Sequence, residues 1–357
     1  MITVSSLNQN RSILFKLLSS NKKIVLILIF LGILVLTSLF AITCGNFNIE
    51  FSDIFSVIAA NISPFTDIES VNRLHNTIIW KIRLPRIILA INVGIALSIS
   101  GAVFQGCFKN PLVEPYILGI SSGAAFGAAL GILFPSFFLS VQALAFCFAF
   151  IAVAAAYFLA HTRGETPIIM LILAGIIIGS IFSAFVGIIK YLAQDSALRE
   201  IVFWLMGGFY YANWDDVILI SPIIFVSFSI IWLHSWKLNI LSMGDDEAKA
   251  LGVSPEKFKF LFIILATLST AVAVSCVGII AWVGLMMPHA TRMVMGPDHR
   301  FLIPVSAIFG AIYLIICDTI ARTLVNAEIP IGIITSILGA PYLFYLIRSR
   351  GASAFGG

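Results

Sequence analysis

Charge is scarce in this chain. Only 11% of its 357 residues are Asp, Glu, Lys or Arg, against about 25% in a soluble domain. The 17 acidic residues avoid the middles of the long apolar runs, and Asp318 and Glu114 come nearest, each close to a run's end. Acids inside a membrane are the usual mark of proton or sodium coupling, so their absence speaks against an ion-driven carrier. There are five cysteines, Cys44, Cys107, Cys147, Cys276 and Cys317. The number is odd and most sit within apolar runs, which excludes a disulfide framework and leaves them as small packing residues. His289 and His299 lie near Arg292 and Asp298, at a spacing that matches no zinc motif. They read as helix-end residues. There is no Walker A loop, no strand-turn-helix nucleophile elbow and no pair of catalytic acids. No catalytic residue, metal ligand or bound cofactor is therefore expected. If a nucleotide drives this protein, another chain binds it.

Apolar sequence is what the chain has in excess: 60% of residues are hydrophobic and the mean hydropathy is +1.06. No soluble core hides that much apolar surface, so the solvent must be lipid. A span needs roughly 20 apolar residues, and its backbone must be satisfied internally, so the spans are helices. The runs lack the two-residue alternation of an outer-membrane barrel. The expected fold is therefore all-α and polytopic, with about ten transmembrane helices at 24–43, 86–105, 115–134, 140–160, 168–189, 217–236, 258–280, 282–296, 302–320 and 331–347. The first run is too long for a signal peptide and has no cleavage motif, so it reads as a retained span. The expected layout is an N-terminal cytoplasmic segment 1–23, a transmembrane domain 24–347 and a C-terminal cytoplasmic tail 348–357.

Basic residues prefer the cytoplasmic side. With the N-terminus inside, seven of the 21 Lys and Arg lie outside, namely Arg73, Lys81, Arg83, Arg86, Lys190, Arg199 and Arg322, leaving 14 inside. Both termini are then cytoplasmic. Four of the seven cluster in 73–86, against the rule. Two readings stay open: a juxtamembrane cluster that touches lipid headgroups, or a docking surface for an acidic soluble protein, since opposite charges steer an encounter. Arg322 could join such a surface.

Small residues mark the packing. Gly119, Gly123, Gly127 and Gly131 recur every four residues in the third span, a groove for a close helix neighbour. Gly175, Gly179, Ser183 and Gly187 repeat the device in the fifth. There the ridge serves either packing, helix sliding or room for a solute. Pro and Gly interrupt several spans, as broken helices do where they are buried or line a cavity. SISGAVFQGCFKNP (98–111) and VSCVGIIAWVGLMMP (274–288) are loosely alike and belong to spans of opposite direction, the mark of an inverted repeat.

One polar island, 237–257, interrupts the apolar chain: KLNILSMGDDEAKALGVSPEK. A charged, helix-favouring stretch between two spans must sit in water, and it reads as a surface helix offered to a soluble partner.

Several motifs together resemble the FecCD family: RLPR (83–86), SGAVFQG and NPLVEPYILGISSGA (100–124), FWLMGG (203–208), GDDEAKALGV (244–253), GLMMPHATR (284–292), GPDHR (296–300), DTIART (318–323) and EIPIGIITSILGAP (328–341). These are permease subunits of type II ABC importers for iron–siderophore, haem, cobalamin and, in some members, molybdate. Met286, Met287 and Cys107 depart modestly from the usual pattern. The resemblance implies a homodimer in the prokaryotic cytoplasmic (inner) membrane, with ten helices per subunit and no enzymatic activity of its own. It implies that two cytoplasmic ATPase subunits, which hold ATP and Mg, dock on the coupling loop 242–256 through Ser242, Gly244, Asp245, Glu247, Ala248, Leu251 and Gly252. It implies that Arg83, Arg86 and Arg322 receive acidic residues of a periplasmic or lipoprotein solute-binding protein. Gly175, Gly179, Ser183, Gly187, Trp204 and Met206 would line or gate the path. The expected cargo is an iron chelate, with cobalamin, haem and molybdate or tungstate left open. The distant alternative is an ion-coupled secondary transporter, which would work without ATPase subunits. No nucleic-acid partner is expected.

Overall fold

A computed structural model of the chain describes residues 20–350, apart from 46, 48, 63–71, 137–138, 163–165 and 326. Most of the expected N-terminal segment and the tail beyond Arg350 lie outside the described residues, as do Arg11, Lys16 and Arg163 of the charge count. Among the described residues the architecture is all-α. Helix α1 spans Ser20–Thr43 and α2 Phe51–Ile62. A π-helical turn, Thr77–Arg83, then runs into α3, Leu84–Cys107. The turn Pro115–Leu118 precedes α4, Ile120–Leu133, followed by α5 (Val141–Ala160), α6 (Ile168–Leu192) and α7 (Asp195–Met206). Next come α8 (Trp214–Leu233), α9 (Ser235–Leu241), α10 (Asp245–Ala250) and α11 (Pro255–Val277). The chain ends with α12 (Val283–Met295), α13 (His299–Thr323) and α14 (Ile331–Arg350).

Each of the ten expected spans has its helix: α1, α3, α4, α5, α6, α8, α11, α12, α13 and α14. Seven helical runs, those of α1, α3, α5, α6, α8, α11 and α13, are long and apolar enough to cross a membrane. The shorter α4 and α12, of 14 and 13 residues, each follow a break in the helix. One helix falls where a loop was expected: α2 buries Ile54, Val57 and Ala60. Helix α7, short and set after the fifth span, buries Ile201. Side-chain caps start several helices in the ordinary way: Ser140 accepts from the Ala143 amide and Asn213 from the Asp216 amide.

Helices α3, α11 and α13 form the centre. More than 70% of each one's apolar window is buried, against 6% for α1 and 22% for α6. Backbones approach closely where glycines meet. A methyl on Gly101 would overlap the Gly284 carbonyl of α12, and one on Gly94 the Gly310 carbonyl of α13. Gly123 and Gly127 abut the carbonyls of Phe148 and Leu144, so the glycine groove of α4 is filled by α5.

The two broken segments face one another. The Tyr116 hydroxyl donates to the Ile280 carbonyl at 2.9 Å, and the Trp282 amide donates to the Glu114 carboxylate at 2.7 Å. Gln105 Nε2 lies between them, within 3.2 to 3.3 Å of the carbonyls of Val113, Gly284 and Leu285. Trp282 itself holds φ at +76°, a strained value for a bulky residue. The Glu114 bond at its amide holds it there. The segment that follows α3 and the one that precedes α12 thus satisfy one another's polar groups.

Replacing Gly101 with Val should lower the thermal unfolding midpoint in detergent sharply, by an amount equivalent to about 3 kcal/mol. Gly187→Ala should leave it near wild type, because nothing lies within 4 Å of a methyl there.

Candidate functional site: coupling segment, far-end cluster and cavity

The polar island folds as two short helices, α9 and α10. Helix α10 begins with Asp245, Asp246 and Glu247, acids that favour the positive end of a helix, and has Lys249 near its close. It is stopped by a Schellman motif: the Val253 amide donates to Ala248 O at 2.9 Å and the Gly252 amide to Lys249 O at 3.0 Å. That turn requires Gly252 at φ +77°. Pro255 then starts α11 as a first-turn residue. A six-residue helix is marginal alone, so these caps and the packing beneath hold its shape. The packing is supplied by Ala248, fully buried, and by Val253, Leu238 and Leu241.

Burial sorts the expected contact residues. Ser242, Glu247, Leu251 and Gly252 are exposed, and Asp245 is half-buried. Gly244 and Ala248 are buried. Ala248 seats the segment on its own subunit, and Gly244 is covered by the Glu247 side chain of the same helix. The residue that sequence reasoning missed is Met243, 63% exposed beside Leu251 at 58%. Two bare apolar side chains on a charged surface form the kind of anchor that a protein partner covers. Asp245 is not free either: Lys259, almost fully buried on α11, binds it at 2.5 Å and lies 4.0 Å from Glu256. Beside the segment, Asp298 caps α13 and holds the Arg300 guanidinium at 2.7 Å. Burial alone would raise the Asp298 carboxyl, but hydrogen bonds from Arg300 and Asn239 outweigh it and bring it down to about 2.

At the opposite end, three arginines converge, but not on an open face. Arg83, Arg86 and Arg322 are all under 10% exposed. Arg83 donates to the carbonyls of Ile42, Thr43 and Phe47 at 2.6, 3.2 and 2.7 Å. Arg322 donates to Cys44 O at 2.5 Å and to Ala41 O. The last carbonyls of α1 have no intrahelical partner, and two guanidinium groups supply it, with charge of the favourable sign. Arg86 bonds buried Asp318 at 2.8 Å and half-exposed Glu328 at 2.9 Å. Within this subunit the three arginines expected to receive a binding protein's acidic residues cap α1 and neutralise Asp318. Only Glu328 of this cluster is substantially exposed.

A cavity of about 510 Å³ opens between α6 and the start of α4. Gly119, Ser122, Gly175, Gly179, Ser180 and Ser183 line it, with Tyr116 at its edge. Ser183 and Ser122 hydroxyls lie 3.2 Å apart. The wall has hydroxyls and apolar carbon but no charge. Three of the six expected path residues, Gly175, Gly179 and Ser183, belong to it. Gly187 has nothing near it, and Trp204 and Met206 stand elsewhere, at the end of α7. There the Ile331 amide donates to Gly207 O at 3.0 Å, tying that end to the start of α14.

An all-α bundle with seven helices long and apolar enough to cross a membrane among the described residues, shorter apolar helices beside them, an uncharged cavity and a capped surface segment fit a membrane permease. The chain belongs to the FecCD transport family, whose model matches residues 33–349. It is 36% identical over 316 residues to the molybdate import system permease protein MolB of Haemophilus influenzae, covering 88% of this chain and 93% of that protein. It is 42% identical over 280 residues to the cobalamin import system permease protein BtuC of Halobacterium salinarum, covering 78% and 75%. The hemin transport system permease protein HmuU of Yersinia pestis is 41% identical over 276 residues, covering 75% and 83%. A solved chain described as an inward-facing conformation of a candidate metal-chelate type ABC transporter superposes with a TM-score of 0.80, at 35% identity, covering 90% of this chain and 98% of that one. The protein is the permease subunit of a type II ABC importer, a multi-pass protein of the inner membrane.

Two outcomes follow from the charged clusters. Arg86→Leu leaves Asp318 buried beside one remaining cation and should destabilise the protein by about 3–5 kcal/mol in detergent unfolding. Arg86→Leu combined with Asp318→Leu should recover much of that loss. The Asp298 carboxyl is depressed, so its stabilising contribution is present above the ordinary carboxylate range near 3.9 and fades as pH falls toward about 2. The unfolding-midpoint gap between wild type and Asp298→Asn should therefore be constant above pH 5 and narrow below pH 4.

Proposed function

We propose that this permease carries a metal chelate, with a ferric siderophore or related iron complex as the cargo, delivered by a solute-binding protein and driven by ATPase subunits that bear on 242–256. The uncharged cavity is the observation that carries the cargo reading. A chelate has its metal charge wrapped in an organic shell and passes a wall of Gly, Ser and aliphatic carbon without being trapped. A small bare oxyanion is held by fixed cations or free amides, and no Lys or Arg lines this wall. Cobalamin and haem fit the same argument by their bulk and stay as the second reading. The volume of about 510 Å³ in one subunit lies in the range of small-molecule sites, and a second copy of the chain would close its open side. The exposed apolar face of α6, with Ile169, Leu173, Ile177 and Ile188 bare, supports that dimer.

Met243 and Leu251 support the ATPase reading. In this scheme two cytoplasmic ATPase subunits bind ATP and Mg and close on one another. They drive the segment as a rigid body, and the spans rock between two states that ATP stabilises differently. Both termini lie in the cytoplasm. Any binding-protein carboxylate that reaches Arg86 must take the place of Glu328.

The test is uptake into proteoliposomes that contain this chain, its ATPase and a binding protein loaded with a ferric siderophore. Uptake should require ATP. Glu247→Arg with Leu251→Arg should cut it at least tenfold while insertion and folding stay normal. Asp245 is left untouched, because its loss would also strand buried Lys259. Uptake that survives without the ATPase, on an ion gradient, would establish the secondary-transporter reading instead. Thermal stabilisation of the binding protein by molybdate alone, and by no iron chelate, would overturn the cargo.

A further inference from the structure

Among the polar contacts that tie the 237–257 island to the helices beneath it, one turns on a residue of the island that lies outside the 242–256 loop. Asn239 lies on α9. Its Nδ2 donates to Asp298 Oδ1 at 2.8 Å. Its Oδ1 accepts the His299 backbone amide at 2.8 Å and lies 2.7 Å from His299 Nδ1. The amide orientation is set by chemistry, because a carboxylate only accepts and a backbone N–H only donates. An amide oxygen only accepts, so Nδ1 carries the ring proton. His299 is buried, and its other nitrogen faces the end of α3, where a methyl on Gly106 would meet it at 2.8 Å. Leu238, next to Asn239, closes on the same glycine. One side chain thus joins α9 to the α12–α13 turn, hard against the end of α3. Another such contact is the Lys259–Asp245 pair, which joins α10 to the start of α11.

We propose that Asn239 is a positioning residue that makes the coupling segment and the starts of α11 and α13 move as one body, so that a push on α10 reaches the two central helices together. The proposal rests on the reading of 242–256 as the ATPase-facing element. Its physical basis is directional. Side-chain hydrogen bonds between short polar groups fix angle and distance, whereas the apolar contacts of Leu238 and Ala248 tolerate sliding. With Asn239 removed, α10 stays seated and the ATPase still docks, but the segment pivots about the Lys259–Asp245 pair and the push on α13 is lost. Met243, Glu247 and Leu251, which would meet the ATPase, are unchanged.

The test uses the reconstituted complex of this chain with its ATPase and binding protein. Asn239→Leu should leave ATP hydrolysis within twofold of wild type and lower cargo taken up per ATP at least tenfold. Unchanged uptake per ATP would overturn the proposal, and so would a parallel fall of hydrolysis and uptake, which is the mark of general damage. If Asn239→Leu fails to insert, a second arm decides. In a cysteine-free background, Asn239→Cys with Asp298→Cys should be uncoupled, and joining the two thiols with a short bis-maleimide should restore uptake per ATP, because the joint stays closed throughout the cycle. No loss before cross-linking, or no recovery after it, refutes the clamp. If the wild-type complex itself shows no ATP-driven uptake, the functional reading falls first and takes the clamp with it.

Discussion

A buried backbone N–H or C=O without a partner costs several kcal/mol, and two irregular segments, 113–119 before α4 and 278–282 before α12, pack against one another inside this fold. Everything central to the fold is arranged around those two breaks. Each supplies what the other lacks: Tyr116 gives a hydroxyl proton to Ile280 O, Glu114 takes the Trp282 amide proton, and Gln105 reaches the carbonyls of both segments. Arg292 holds the other end of Gln105 at 2.6 Å. The close glycine contacts follow from the same need. Gly101 must let α12 approach, or the carbonyls of Gly284 and Leu285 would stand out of reach of Gln105. The two broken segments are chemically complementary at the points where each lacks partners of its own.

The same constraint explains the arginines at the far end. The sequence leaves a basic cluster there, four of the seven outside cations falling within 73–86, and a cation outside a membrane invites a partner of opposite charge. The geometry supplies partners within the chain. The carbonyls that end α1 need donors, and Arg83 and Arg322 provide them; Asp318 needs a cation, and Arg86 provides it. Such contacts join residues 40 to about 280 positions apart in sequence. Periodicity reports which residues share a helix face, and composition reports which solvent a helix meets. Neither reports which distant helix end needs a cap. Asn239 was invisible for the same reason: a lone Asn in KLNIL carries no local signal, and its three contacts come from a turn 59 and 60 residues away.

What was legible in the sequence is equally physical. The ten spans could be read because lipid is a uniform solvent and each span answers to it locally, whatever its neighbours. The 237–257 island could be read because a charged stretch among apolar runs has only one place to go. Helix α2 was not read as an element because Phe51–Ile62 is too short to span, and its buried face is set by the π-helical turn it lies against. Within the island, Ala248 and Gly244 look no different from their exposed neighbours. Only the Schellman turn at Gly252 and the seat provided by Leu238 and Leu241 decide that α10 rests on Ala248 and leaves Met243 and Leu251 bare.

These features together favour a division of labour by rigidity. The centre is tightly packed: α3, α11 and α13 are buried, Gly94 and Gly310 bring α3 and α13 backbone to backbone, and the Ser100 hydroxyl donates to the Ala266 carbonyl of α11. The coupling segment adds no flexibility, since it is capped at its end, seated on the core and held by side-chain bonds to α11 and α13. By contrast α6 is largely bare, its Gly and Ser ridge faces an open cavity, and Gly187 has empty space around it. A switch needs both a body that transmits displacement and an element that responds to it. The close contacts are concentrated in the buried centre, whereas α6 meets the chain at Gly175, where a methyl would overlap the Ile117 carbonyl, and at the Ser122–Ser183 hydroxyl pair, with open space along the rest of its small-residue face.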